Sequence, residues 1–263
     1  MMIFIMRRNN RASDSLAFVL GIILIGCLIQ AAGWIKNDRL VFPDVIEILR
    51  AFFRLLGTPK TWLLSRTTLL HLLTAMAVST VIGLLTGLAE GYSDFIRMLL
   101  RPLMVLLRSI PMVVLVVIIM VLTTYDKVPL IGTSLILIPM ISEAVSEGCR
   151  RIDRDLIDVY RLNSNFNFQV LWNVHLPLMA GYLKQAYINA AGMGMKLIVS
   201  TEYLVQTKNS LGKAINTSIY FNEYQDIYAY ALIMILLVVL ISELPLWLIR
   251  LFENSQPQRD GTK

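Results

Sequence analysis

Apolar positions in this chain fall in long unbroken runs rather than in alternation, and short charged segments separate the runs. From Ser15 to Ile35 no residue carries a charge, and from Thr67 to Ala89 only His71 interrupts the apolar and hydroxyl side chains. Both runs reach the roughly 20 residues a helix needs to cross a bilayer. Shorter runs follow at Ser109 to Tyr125, Val128 to Ser142 and Ile227 to Ser242, each with apolar flanks that extend it. One more, Leu178 to Val199, contains Lys184 and Lys196. The pattern predicts about six transmembrane helices in a single all-α membrane domain over residues 1–253, with a polar, disordered tail over 254–263.

Composition closes off the soluble alternatives: 56% of residues are hydrophobic and 16% charged, and the mean hydropathy is +0.65. Arg7, Arg8 and Arg11 precede the first run as in a secretory signal, but the run is too long and lacks a small-residue cleavage pattern, so a retained first span is expected. Placing both termini in the cytoplasm puts Arg97, Arg101, Arg150, Arg151, Arg154, Arg161 and Arg250 inside, as the positive-inside bias prefers. The opposing segment carries Arg39, Arg50, Arg54 and Lys60. There Pro43-Asp44 opens and Gly57 with Pro59 closes an interfacial helix, with Glu47, Arg50 and Arg54 on one face and Ile48, Phe52 and Leu56 opposite. The net charge of +6 suits anionic headgroups, and no basic and aromatic groove pattern points to nucleic acid.

Gly83, Gly87 and Gly91 recur every four residues on the second span and predict close approach of another helix. The polar island Glu147 to Leu176, with Pro177 entering the next span, reads as two short helices. Ile152, Leu156, Val159 and Tyr160 share one face, Arg154, Asp158 and Arg161 the other, and Asn163-Ser164-Asn165 breaks and caps. Phe166 and Phe168 complete a helix-turn-helix suited to a groove on a partner.

The spacing of Asp158-Val159-Tyr160, Ser164, Val174 and Leu176-Pro177 resembles the loop signature of permease subunits of bacterial ATP-binding-cassette importers. The resemblance extends over about Trp62 to Phe252. It takes in His71-Leu72-Leu73, Arg101-Pro102 through Leu107-Arg108-Ser109-Ile110-Pro111, Gly132, Glu143 through Gly148, Asp153, Thr201-Glu202 and Ser210-Leu211-Gly212, in the order of the nitrate, sulfonate and taurine branch. Where that family usually has Glu-Ala-Ala and then Gly, this chain has Asp158-Val159-Tyr160 and Ser164, a pattern that would also suit one half of a heterodimer.

The resemblance implies a type I importer permease fold with a cytoplasmic coupling loop over 147–177, in a bacterial inner membrane. It further implies a second permease subunit, two cytosolic ATPases that bind ATP and magnesium, and an extracytoplasmic binding protein. Asp155, Asp158, Arg161, Leu162, Ser164, Phe166 and Phe168 are the expected coupling residues. Hydrolysis is expected elsewhere, since Gly192-Met193-Gly194-Met195-Lys196 has neither the spacing nor the hydroxyl of a phosphate loop. The substrate class implied is a small organic anion, an oxyanion or a thiamine-like precursor.

Ionisable groups at bilayer depth need a partner, a cavity or an escape to the interface. Arg108, Glu143, Lys196 and Glu202 are the expected pathway or buried-charge residues, with Lys184 nearer the inner interface. His71 and His175 are the only histidines and lie on different spans, and Cys27 and Cys149 cannot readily meet, so neither metal binding nor a disulfide is expected. An ATP-independent channel or an exporter subunit is the nearer alternative and an intramembrane enzyme the remote one, since no HExxH or GxSxG motif occurs.

Overall fold

The computed structural model describes residues 20, 21, 24, 26, 27, 30, 31, 41–151 and 176–254, with side chains over 178–242 in the last segment. Eight helices follow one another there: α1 (Val45–Leu56), α2 (Pro59–Tyr92), α3 (Asp94–Ser109), α4 (Met112–Leu122), α5 (Val128–Arg150), α6 (Leu176–Val205), α7 (Leu211–Tyr220) and α8 (Tyr224–Asn254). A single 3-10 turn, Tyr125–Lys127, joins α4 to α5. Among the described residues three stretches are long and apolar enough to cross a membrane: α2, Tyr125–Arg150 and Tyr224–Ser242. A fourth arises if α3 and α4, bent by 103° at their junction, form one broken span. Of the six expected spans, most of the first lies outside the described residues. The fifth forms as α6 but carries Lys184, Lys196 and Glu202.

The chain divides into two compact units, one of Met1–Thr61 with Ile215–Ile233, the other of Trp62–Ala214 with Met234–Lys263. In the first, α1 begins at extended Asp44, whose N–H donates to the Glu47 carboxylate at 3.1 Å, satisfying one donor that a helix start leaves open. Gln30 holds the same corner, its Nε2 donating to Asp44 Oδ1 at 2.8 Å. The buried stripe of α1 is Ile48, Ala51 and Leu55, not the Ile48, Phe52 and Leu56 stripe expected from sequence. Apolar residues surround most of this helix, with Ile46, Leu49 and Phe53 exposed, so apolarity alone does not choose the inward face. Arg54 pairs with Asp226 while its side chain stays exposed. At the start of α8, Asn222 adopts a positive φ of 58°, a conformation Asn tolerates better than most residues.

In the second unit α5 is the inner helix: 61% of its most apolar window is buried, against 33% for α2. It continues to Arg150, so the first residues of the sequence-defined polar island, Glu147 to Arg150, finish a span, and Gly148 and Cys149 are buried. Gly83, Gly87 and Gly91 lie against it. A Cβ at Gly83 would come 2.8 Å from Ile141 Cβ, one at Gly87 2.5 Å from the Ser142 carbonyl, and one at Gly91 2.6 Å from Cys149 Cβ. The two backbones therefore approach as only glycine permits. Hydroxyls bridge the same seam: Ser79 Oγ donates to the Ser134 carbonyl at 3.2 Å and Thr86 Oγ1 to Ser142 Oγ at 3.0 Å.

The apolar run Ser109 to Tyr125 is not one helix. Ile110 is extended (φ −65°, ψ 125°) and Pro111 caps α4, because a residue before proline is pushed out of the helical region. Leu115, Val116 and Ile119 of α4 then bury with Val128 and pack against Ile131 and Leu135.

Candidate functional site

Two polar constellations form in the second unit. The first is built around Glu202 on α6, which is fully buried. Its Oε2 accepts from Thr68 Oγ1 at 2.8 Å and from the Gly212 N–H at 3.3 Å, and Oε1 lies 2.8 Å from His71 Nδ1. Thr68 Oγ1 in turn accepts from the Leu211 N–H at 2.9 Å. Ser210 caps the same helix start, its Oγ accepting from the Lys213 N–H at 3.2 Å. The first N–H groups of α7, which have no partner within the helix, are thus met by side chains from α2 and α6. A carboxylate at a helix N-terminus is favourable electrostatically as well. Gly212 makes the approach possible, since a Cβ there would stand 2.5 Å from Glu202 Cβ. Glu202 therefore joins three helices and presents no free oxygen to a pathway.

The second constellation is a cleft of about 600 Å³ between α3 and α5, with Glu90 of α2 at its wall. Arg97, Arg101 and Arg108 recur at helical spacing along α3 and face Glu143, Glu147 and Arg150 on α5. Arg108 Nη2 donates to the Pro139 carbonyl at 2.9 Å and pairs with Glu143. Pro139 sits within α5, and its carbonyl gives the Arg108 guanidinium a second acceptor. Both charged side chains remain accessible, at 42% and 57%, as charges lining an open cleft must be to keep their hydration.

Of the residues expected from sequence, the structure brings together Arg108 and Glu143 and places Glu202 in the separate network. Lys196 is exposed on α6. Asp155, Asp158, Arg161, Leu162, Ser164, Phe166 and Phe168 lie outside the described residues, and Pro177 lies in the first turn of α6 without a described side chain. Sequence reasoning did not single out Thr68, Glu90, Arg97 or Arg101 as site residues. Glu90 was within reach, being a carboxylate directly after the apolar run that ends at Ala89. Thr68 carries no local signal, because its partners are 134 and 143 positions away in the chain.

Over residues 79–256 the chain matches the family model described as the binding-protein-dependent transport system inner membrane component. Among solved structures it is similar to a chain of the MetNI methionine ABC transporter in inward-facing conformations, in the CY5 native crystal form. The TM-score is 0.61 at 20% identity, covering 74% of this chain and 98% of that one. At that identity the likeness speaks for the fold. No curated protein matches the chain.

Proposed function

The chain belongs to the family of binding-protein-dependent transport system inner membrane components, and from that membership we propose how it works as the non-catalytic permease subunit of an ABC importer. Two permease subunits, this chain with a second copy or a relative, enclose the pathway. Two cytosolic ATPases bind ATP and magnesium and dock on the segment 152–175. An extracytoplasmic binding protein delivers a small solute, an organic anion, an oxyanion or a thiamine-like precursor. Both termini lie in the cytoplasm, and Arg108 with Glu143 borders the pathway. Closure of the ATPases moves the docked segments and shifts the permease between inward- and outward-open packings.

One observation carries this reading: the family match spans residues 79–256, which take in the segment between α5 and α6. That segment holds the mixed-charge and aromatic pattern of Asp158, Arg161, Phe166 and Phe168. The test is co-expression with cassette ATPases encoded near this chain, followed by purification in detergent. An ATPase should co-purify and should be lost from Asp158→Lys and Phe166→Ala variants that still insert and disperse normally. Capture unaffected by either variant would remove the segment from the coupling role.

A further inference from the structure

Along α6 the exposed positions fall on one line, and most of them are polar. Between Gly181 and Ser200 they are Gly181, Gln185, Asn189, Met193, Lys196 and Ser200, three or four residues apart and therefore on one face of the helix. The other side packs inward, with Ala186, Ala190, Met195 and Ile198 buried. The amides of Gln185 and Asn189 meet once, at 3.0 Å, and their other donors and acceptors have no partner among the described residues. Lys196 has no carboxylate partner among them either, since Glu202 is taken up by Thr68, His71 and the Gly212 N–H. The exposed face of α2 is of another kind. From Leu70 to Leu85 it presents Leu70, Leu73, Val78, Val81, Ile82 and Leu85, and its exposed hydroxyl there, on Thr74, donates back to the Leu70 carbonyl at 2.7 Å.

Depth turns this contrast into a constraint. A Cβ on Gly194 would stand 2.7 Å from Leu72 and 3.3 Å from Leu137, and Leu137 lies at the middle of the membrane-crossing stretch Tyr125–Arg150. Lys196 is two residues further, about 3 Å along the helix. Either interface is then about 15 Å away, half the hydrocarbon core, which is farther than a lysine side chain reaches. An ammonium exposed at that depth with no anion beside it requires water, and so do amides that hydrocarbon would leave unsatisfied.

We propose that this face of α6 lines the aqueous pathway and that the Lys196 ammonium is its anion-selecting charge. The solute that passes is negatively charged, its carboxylate or oxyanion drawn to Lys196 and hydrogen-bonded by Ser200 one turn away and Asn189 two turns away. Within the proposed substrate class the organic anion and the oxyanion remain, and the thiamine-like precursor drops out. The inference rests on the importer reading for the solute's being carried, and not for the water along α6.

The test uses the full chain in reconstituted vesicles, whose mixed orientations present both of its faces to a reagent. Cys27 and Cys149 are replaced by alanine, and single cysteines are placed at Asn189, at Ser200 and, as a control on the apolar face of α2, at Val81. Each is reacted with 2-sulfonatoethyl methanethiosulfonate, an anion, and with its trimethylammonium counterpart, a cation, both rates being taken relative to free cysteine. Asn189→Cys and Ser200→Cys should react and Val81→Cys should not, because only a hydrated thiol ionises to the reactive thiolate. At Ser200→Cys, about 6 Å along the helix from Lys196, the anionic reagent should be favoured. Lys196→Gln should lower the ratio of the two rates about tenfold, and Lys196→Arg should keep it. Silence at Asn189→Cys and Ser200→Cys would mean that lipid or a second copy of the chain covers the face, and overturns the proposal. A ratio that Lys196→Gln leaves unchanged overturns it as well. If Lys196→Gln does not insert, the lack of any preference for the anionic reagent at Ser200→Cys overturns it alone. Charge-selective labelling in a chain that captures no ATPase keeps the anion pathway and overturns the importer reading instead.

Discussion

Thr68 and Glu202 share one proton donor and, through it, one helix: the Thr68 hydroxyl donates to the Glu202 carboxylate at 2.8 Å while accepting the Leu211 N–H at 2.9 Å. Removing either side chain strands the other together with a backbone donor of α7. The network predicts that Glu202→Ala destabilises the chain in detergent by about 3 kcal/mol, since it leaves buried donors without acceptors. Glu202→Gln, which keeps one carbonyl oxygen, should lose less. Thermal unfolding of the two variants beside the parent decides; equal behaviour of both with the parent would remove the structural role.

The glycine seam gives a graded prediction. Gly87→Ala forces a Cβ to 2.5 Å from a backbone carbonyl that cannot turn aside, and should cost about 2 kcal/mol. Gly194→Ala meets the tips of two side chains, Leu72 at 2.7 Å and Leu137 at 3.3 Å, and should cost less because side-chain ends give way more easily than backbone. Gly181→Ala meets nothing within 4 Å and should be neutral or stabilising by about 0.5 kcal/mol. Melting temperatures that do not follow this order would contradict the close packing of α2 on α5.

For Arg108 and Glu143 the expectation is a weak bond with a functional effect. Both side chains are more than a third exposed, so a double-mutant cycle on stability should give a coupling of about 0.5 kcal/mol. Transport in reconstituted vesicles should fall in each single variant by much more than stability does. Loss of stability in parallel with loss of transport would make the pair structural.

Ser210 offers a local test of how α7 starts. Its Oγ accepts the Lys213 N–H at 3.2 Å and donates to the Thr207 carbonyl at 2.8 Å. Ser210→Ala should cost about 1 kcal/mol and Ser210→Asp more, because it buries a second carboxylate at the helix start that Glu202 already caps, read as the unfolding midpoint of each variant. Identical midpoints would show that Glu202 and Thr68 satisfy the helix start without it.

Elements set by local chemistry were legible in the sequence, and relations across long chain separations were not. The glycines at 83, 87 and 91 announced a close helix contact, and Pro43-Asp44 announced the start of α1. The bend between α3 and α5's neighbour α4 was hidden because the apolar run continues across Ile110-Pro111, and hydropathy does not register a change of direction. Proline was the available sign. Glu202 was legible as an expensive buried charge, yet its purpose was not. The helix it caps begins only nine positions later, but the hydroxyl that completes the cap comes from Thr68 on α2. The inward stripe of α1 was misjudged because its apolar arc is wider than the stripe it buries, so that Ile46, Leu49 and Phe53 stay exposed while Ile48, Ala51 and Leu55 face inward.

The glycine contacts also limit which motions the second unit can make. At Gly83, Gly87 and Gly91 the α2 backbone itself meets α5, with no side chain of its own whose rotamer change could let one helix slip along the other. Three Cα positions on α2, spaced four residues apart, instead press on branched side chains, backbone and the Cys149 side chain of α5. Packing of this kind resists sliding and twisting alike, so the two helices travel as one lever. A displacement applied at Arg150, the last residue of α5, would then reach Gly83 almost undiminished.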